Sequence, residues 1–410
     1  MVDVATLGNY VDYISMSAVG STSIAITLFV GILIGFSGGV NALVAKAFGA
    51  KDREALRKTV HSAAIICFLV GFGVLLFGVF GSRALLELLN TKSELIDKAA
   101  LYMRIYFLGM PALAIFNFGN AVFSAIGNTK KPLIFMSVSG VVHIGLNLIF
   151  VIVCGFDVVG VAIASVASQY LSAFLILFAL FRSKEDYSMS FRELKLDKFC
   201  SRNILGMGIP AAIQNAMFYV ANLFVQAGVN SFDTLTVAGN TAAANADSIV
   251  FEAMAVFCTA CSSFVGRAYG IGDKKLIKRS YITCLVYASG IGAALGLVII
   301  AMGPLFISFF NSDSAVIEAG IPRLVVMGLS YFISPFMDVS VAASRGIGKS
   351  VVPTVFIILG SCIFRIAWIY TVFAYFGTVV SLYLLYAFSW GITAIFETAY
   401  FIYNYKKLKT

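Results

Sequence analysis

The sequence predicts an all-α polytopic membrane protein made of two six-helix bundles related by a parallel internal repeat. Three observations carry this. Apolar runs are too long and too sparsely charged for a soluble domain. Basic residues gather in alternate connections, and one half of the chain maps onto the other at a fixed shift.

Hydrophobic residues make up 60% of the chain and charged residues 12%, with a mean hydropathy of +0.94. A soluble domain carries about 25% charged residues. Runs such as 63–81, 132–155 and 282–306 are nearly free of charge. Each can cross a hydrocarbon core of about 30 Å as a helix rising about 1.5 Å per residue. They do not alternate in polarity, which excludes the short strands of a membrane β-barrel. Apolar length and flanking polar residues predict helices over 15–48, 55–81, 97–126, 130–154 and 158–182. A charged linker over 183–202 follows. Further helices are predicted over 203–230, 236–269, 275–304, 315–346, 350–377 and 379–407. The organisation is therefore an N-terminal bundle (1–182), the linker and a C-terminal bundle (203–410). Only a short stretch precedes the first complete helix.

The net charge of +9 follows this topology. Counting the short stretch before residue 15 as the first helix, most Lys and Arg fall after even-numbered helices: Lys46, Lys51, Arg53, Arg57 and Lys58; Lys130 and Lys131; the linker; 267–279; Arg345 and Lys349; and Lys406, Lys407 and Lys409. The opposite connections are richer in acids, such as Asp12, Glu94, Asp157, Asp233 and Asp313. The positive-inside rule makes the basic connections and the C-terminus cytoplasmic. The charge thus belongs to the membrane and not to nucleic acid. The cysteines lie mostly within apolar stretches and read as packing residues. Cys258 and Cys261 form a CxxC, but a chain with two histidines offers little else for a metal or redox centre.

Moving Lys46 onto Arg267, a shift of 221 residues, aligns Lys46-Ala-Phe-Gly49 with Arg267-Ala-Tyr-Gly270. The same register pairs Asp52 with Asp273, Lys58 with Arg279, Asn90 with Asn311, Gly127 with Gly348 and Pro132 with Pro353. A repeat of six helices enters the membrane in the same sense twice, an architecture known in transporters that bind substrate between halves. Gly31, Gly35 and Gly39 form GxxxG steps, and Gly292 and Gly296 repeat the pattern. Small residues of this kind let helices approach closely in lipid. Pro111, Pro210 and Pro335 fall inside predicted helices, where each deletes a backbone hydrogen bond and permits a kink.

Several stretches carry a family resemblance. They are Phe48-Gly-Ala-Lys-Asp-Arg-Glu54, Tyr102-Met-Arg-Ile-Tyr-Phe-Leu-Gly-Met-Pro111, Ala125-Ile-Gly-Asn-Thr-Lys-Lys-Pro132, Gly208-Ile-Pro-Ala-Ala-Ile-Gln214, Ser344-Arg-Gly-Ile-Gly348 and Phe364-Arg-Ile366. On these the chain resembles the multidrug and toxic compound extrusion (MATE) family, more closely its DinF-like bacterial branch. The resemblance implies twelve helices in two bundles at the bacterial inner membrane. It also implies export of organic cations or amphiphiles against Na⁺ or H⁺, with no other cofactor and the lipid bilayer as surroundings. The chain is expected to act as a monomer. Three departures follow from it. Met1–Tyr10 matches only the second half of the family's first helix. His143 and Asn147 stand where DinF-like members have Asn-x-x-x-Asp. Phe218 stands where the NorM-like branch has a Glu.

Ionisable and amide side chains inside a membrane are expensive and are candidates by default for coupling or substrate contact. In the first half these are Asp3, at the acidic position of the family's first helix, with Asn117, His143, Asn147 and Gln169. His143 and Asn147, four apart, share a helix face. Interhelical hydrogen bonding is the alternative role for this set, and a frayed terminus is the alternative for Asp3. In the second half the candidates are Gln214, Asn215, Asp247, Glu252, Asp338 and Arg365; Glu397 is also intramembrane. Depth counted from helix ends pairs Arg365 with Asp247 or Glu252. Asp338 follows Pro335 by three residues and maps onto Asn117 in the repeat, so its charge belongs to one half only. The expected function is a cation-coupled antiporter working by alternating access. The alternative is a lipid-linked oligosaccharide flippase of the same superfamily, which would need several cations for a pyrophosphate where only Arg365 and Arg104 are candidates. No HExxH, paired Asp-rich or GxxxxGK[ST] motif supports an enzyme.

Overall fold

The computed structural model describes residues 2–89, 91–310 and 313–408. The pairing of Asn90 with Asn311, and Lys409, lie outside the described residues. The helices are α1 (Val2–Tyr10), α2 (Tyr13–Gly49), α3 (Arg53–Leu88), α4 (Ser93–Phe107), α5 (Met110–Ala125), α6 (Lys130–Val153) and α7 (Val158–Phe181). They continue with α8 (Lys198–Val229), α9 (Thr234–Ile271), α10 (Lys274–Ala301), α11 (Gly303–Ser308), α12 (Ser314–Ser330), α13 (Ser334–Gly346), α14 (Val351–Phe376) and α15 (Val379–Lys407). No strand occurs among the described residues. Among the described residues nine of these helices are long and apolar enough to cross a membrane, and α4 with α5 and α12 with α13 are two bent pairs that each meet the same length and composition when taken together.

Those bends correct the two unbroken helices expected over 97–126 and 315–346. The arms meet at 46° and 49°, and Pro111 and Pro335 open the second arm of each. A proline there lacks the N–H that would continue the preceding ladder. Pro210, by contrast, lies within the continuous α8.

The repeat register reappears in local geometry. Asp52 and Asp273 cap α3 and α10 with near-identical dihedrals (φ −85°, ψ 92° and φ −86°, ψ 96°). Each side chain accepts the backbone N–H three residues on, from Ala55 and Leu276, both at 2.9 Å. Gly127 and Gly348 both adopt left-handed backbone, at φ +84° and +82°, just before α6 and α14. Only glycine adopts this conformation without cost.

Contacts divide the chain into two units, Met1–Val44 with Asp52–Asn215, and Ala45–Lys51 with Ala216–Thr410. In the first, the glycine face of α2 packs on the backbone of α8. A Cβ on Gly35 would lie 2.5 Å from the Ala211 carbonyl oxygen, and one on Gly39 2.7 Å from the Gly208 nitrogen. Leu33, Leu86, Met103, Phe107 and Met110 form a core where α2, α3, α4 and α5 meet. In the second unit α10 and α12 repeat the device, with Gly296 set against the Gly328 carbonyl at 2.2 Å by the same construction. Val250, Met327, Tyr331, Leu382 and Trp390 form that core. Large apolar side chains such as Phe80, Val153, Phe174 and Ile395 remain exposed, as lipid contact requires.

The segment between α7 and α8 is laced to the start of α3 within the first unit. Ser190 donates its N–H to His61 Nε2 at 3.0 Å, while His61 Nδ1 lies 2.7 Å from the Arg57 carbonyl. An imidazole that accepts at Nε2 and donates at Nδ1 is the neutral tautomer. Asp197 donates its N–H to Ser62 Oγ, and Arg57 pairs with Glu193.

Candidate functional site

Four side chains from three helices converge on one carboxylate of a fourth in the first unit. Asp3, on α1, is 8% exposed, so it is not a frayed terminus. Its Oδ2 accepts from Tyr102 on α4 at 2.8 Å and from Ser165 on α7 at 3.0 Å. Its Oδ1 accepts from the Asn147 amide at 2.9 Å and lies 3.1 Å from His143 Nε2. His143 Nε2 is also 3.0 Å from Ser165 Oγ and 3.2 Å from Asn147 Nδ2. The four-residue spacing that puts His143 and Asn147 on one face of α6 aims both at α1 and α7. Tyr102 and Ser165, absent from the sequence candidates, complete the shell. Their hydroxyls gave no signal because Tyr and Ser are ordinary residues in membrane helices.

A carboxylate accepts only, and charge-assisted donors on both oxygens satisfy it without a second charge. In this site the amide of Asn147 donates where the family resemblance led to an expected acid, and Asp3 supplies the negative charge. Its one titratable neighbour in the shell besides the Tyr102 phenol is His143. Imidazole and carboxylate at this separation can hold one proton between them, and adding a second proton removes an acceptor that four donors share.

The other first-half candidates stand apart from this shell. Asn117 donates to the Leu113 carbonyl of its own helix at 3.0 Å. Gln169 lies one turn beyond Ser165 at the α4–α5 bend, where a Cβ on Gly109 would come within 1.8 Å of its Oε1. Two candidates that the sequence reading placed in the second half fall in the first unit: Asn215 donates to the Gly31 carbonyl at 3.0 Å, and Gln214 is buried.

In the second unit the expected pairing of Arg365 is corrected. Asp247 on α9 pairs with Arg323 on α12, a residue outside the sequence candidates, and also accepts from Tyr331. Arg323 further donates to Asn240 at 2.7 Å, and Tyr383 donates to the same amide oxygen at 2.9 Å. Arg365 instead donates to Ser389 and Asn222, both at 3.2 Å. Its guanidinium lies over Tyr386 at 4.6 Å and over Phe218, the residue standing at the NorM-like Glu position, at 5.8 Å. Glu252 is exposed and joins neither arginine. Asp338 accepts from Ser334 at 2.8 Å and has Arg345 and Arg365 as its charged neighbours. Arg323 and Arg365 are thus two buried guanidiniums of the second unit, one paired with a carboxylate and one held by amide, hydroxyl and rings. No group of three metal-ligating side chains occurs among the described residues.

The MatE family profile matches residues 1–149 and 210–371 of the chain. A probable multidrug resistance protein NorM of Thermotoga maritima is 25% identical over 369 residues, which cover 87% of this chain and 77% of that one. A probable multidrug resistance protein YpnP of Bacillus subtilis is 25% identical over 347 residues, covering 83% of this chain and 75% of that one. A crystal structure of MATE in the bent conformation superposes with a TM-score of 0.92 at 19% identity, covering 99% of this chain and 91% of that one. At that identity the likeness concerns the fold alone.

Proposed function

The chain belongs to the MatE family of membrane transporters, which are not enzymes, and from that premise we propose that it is a proton-coupled antiporter exporting small organic cations. The observation that carries this reading is the Asp3 shell, a single buried carboxylate surrounded by neutral donors and one imidazole. Gain or loss of a proton by the Asp3–His143 pair changes the charge of the shell by one, and so changes how tightly four helices are held together. A ligand or proton moves a conformational equilibrium only through such differential binding. Multidrug resistance in the names of the relatives from Thermotoga maritima and Bacillus subtilis supports organic substrates. The basic connections support a cytoplasmic C-terminus.

The test is efflux of a lipophilic cationic dye from proteoliposomes under an imposed pH gradient or an imposed Na⁺ gradient. The expected result is efflux driven by the pH gradient alone. Asp3→Asn, which keeps the shape and removes the charge, abolishes the response. Efflux driven only by Na⁺, or an Asp3→Asn variant as fast as the parent at every pH, overturns the reading.

A further inference from the structure

Glu397 lies on α15 and is 0% exposed, and neither carboxyl oxygen has a hydrogen-bond partner among the described residues. Its position is set by contacts on either side of it. One turn earlier, Thr393 meets Ser361 of α14 at 3.0 Å; one residue later, Thr398 meets Ser340 of α13 at 3.2 Å and the Phe336 carbonyl at 3.3 Å. Glu397 is thus enclosed where α13, α14 and α15 join.

An ionised carboxylate buried without donors carries a large desolvation penalty, and a proton removes it. The charged and titratable groups around Glu397 are Arg345 and Asp338 on α13 and Tyr400 on its own helix. Cys258 on α9 and Arg365 on α14 face Asp338 in turn. Two acids and two guanidiniums share this part of the second unit. Loss of a proton from Glu397 is therefore balanced by the positive charge of Arg345, and its gain leaves that arginine to Asp338. Glu397 stands ten residues before Lys407, about 15 Å along the helix from the basic end of α15.

We propose that Glu397 is a proton-binding carboxyl of the second unit, separate from the Asp3 shell, exchanging its proton toward the end of the membrane marked by Lys406 and Lys407. The inference takes its meaning for transport from the antiport reading above, but its spectroscopic test does not depend on that reading. Infrared difference spectra of the full chain in proteoliposomes, recorded across a pH titration, report protonated carboxyl groups directly. A titrating carboxylic C=O band is expected in the parent. It should be lost in Glu397→Gln and moved in Glu397→Asp. In the dye assay, Glu397→Gln flattens the pH dependence of efflux and Glu397→Asp restores it. A parent without efflux that still shows the Glu397 band sinks the antiport reading and leaves the proton site standing. A band unchanged in Glu397→Gln means that the side chain stays ionised beside Arg345, and the proposal fails. Should Glu397→Gln not accumulate as folded protein, Glu397→Asp decides in its place: a band that moves supports the proposal, and one that does not overturns it.

Discussion

Asp247 and Arg323 are each nearly enclosed, with side-chain exposures of 10% and 7%, and each is the other's compensation. Removing one partner strands the other charge. Asp247→Asn is expected to destabilise the second unit by about 3–5 kcal/mol, visible as a lowered thermal unfolding midpoint in detergent. Replacing both partners, Asp247→Leu with Arg323→Met, should recover most of that loss. A double variant less stable than Asp247→Asn would mean that the hydrogen bonds to Asn240 and the rings of Tyr383 and Tyr386 outweigh the charge. The same residues mark the limit of reading this site from sequence. Counting from helix ends gives depth, and Arg365 does lie deep, but depth says nothing of the direction a side chain takes around the helix axis. Arg365 is also flanked by π-helical turns at Ile358–Ile363 and Ile369–Phe373. Each wider turn rotates the following residues away from the 3.6-residue register. His143 and Asn147 sit before the π turn of α6, at Ile149–Val153, and their shared face was legible from spacing alone.

Element boundaries were more accessible to sequence than azimuths, because the signals that end a helix are local. Asp52 and Asp273 could be paired by register before their capping geometry was known, since a capping side chain needs only its own backbone. Asp52→Ala or Asp273→Ala is expected to cost about 1 kcal/mol each, measured as a shift in thermal midpoint. Pro111 and Pro335 showed in the sequence only where a kink was permitted; the breaks themselves were not legible, since Pro210 lies within the unbroken α8. The linker was legible as a charged segment, but its attachment to α3 was not, because hydrogen bonds from Ser190 and Asp197 to His61 and Ser62 join residues far apart in the chain. His61→Ala removes the acceptor for the Ser190 N–H. Limited proteolysis should then cleave the 183–197 segment faster than in the parent, and unchanged cleavage would mean that the Arg57–Glu193 and Arg53–Asp186 pairs hold the segment without the imidazole.

At the scale of the whole chain, duplication constrains orientation. An even number of helices per repeat makes both copies enter the membrane from one side, so the basic stretches of both must share a compartment. Lys46-Ala-Phe-Gly49 and Arg267-Ala-Tyr-Gly270 meet within the second unit, where a Cβ on Gly49 would lie 2.2 Å from the Arg267 carbonyl oxygen and one on Gly270 2.1 Å from that of Lys46. Two equivalent basic stretches in mutual contact cannot lie on opposite faces of a bilayer. If that face is cytoplasmic, as the distribution of Lys and Arg implies, the connection between α6 and α7 is external. Cys154 lies exposed in that connection and serves as a reporter. In a background with the other cysteines replaced, a membrane-impermeant maleimide should label Cys154 in intact cells. Ser188→Cys, placed in the linker and lacking Cys154, should label only after permeabilisation. Labelling in the reverse pattern would invert the topology and, with it, the direction in which Asp3 and Glu397 pass protons.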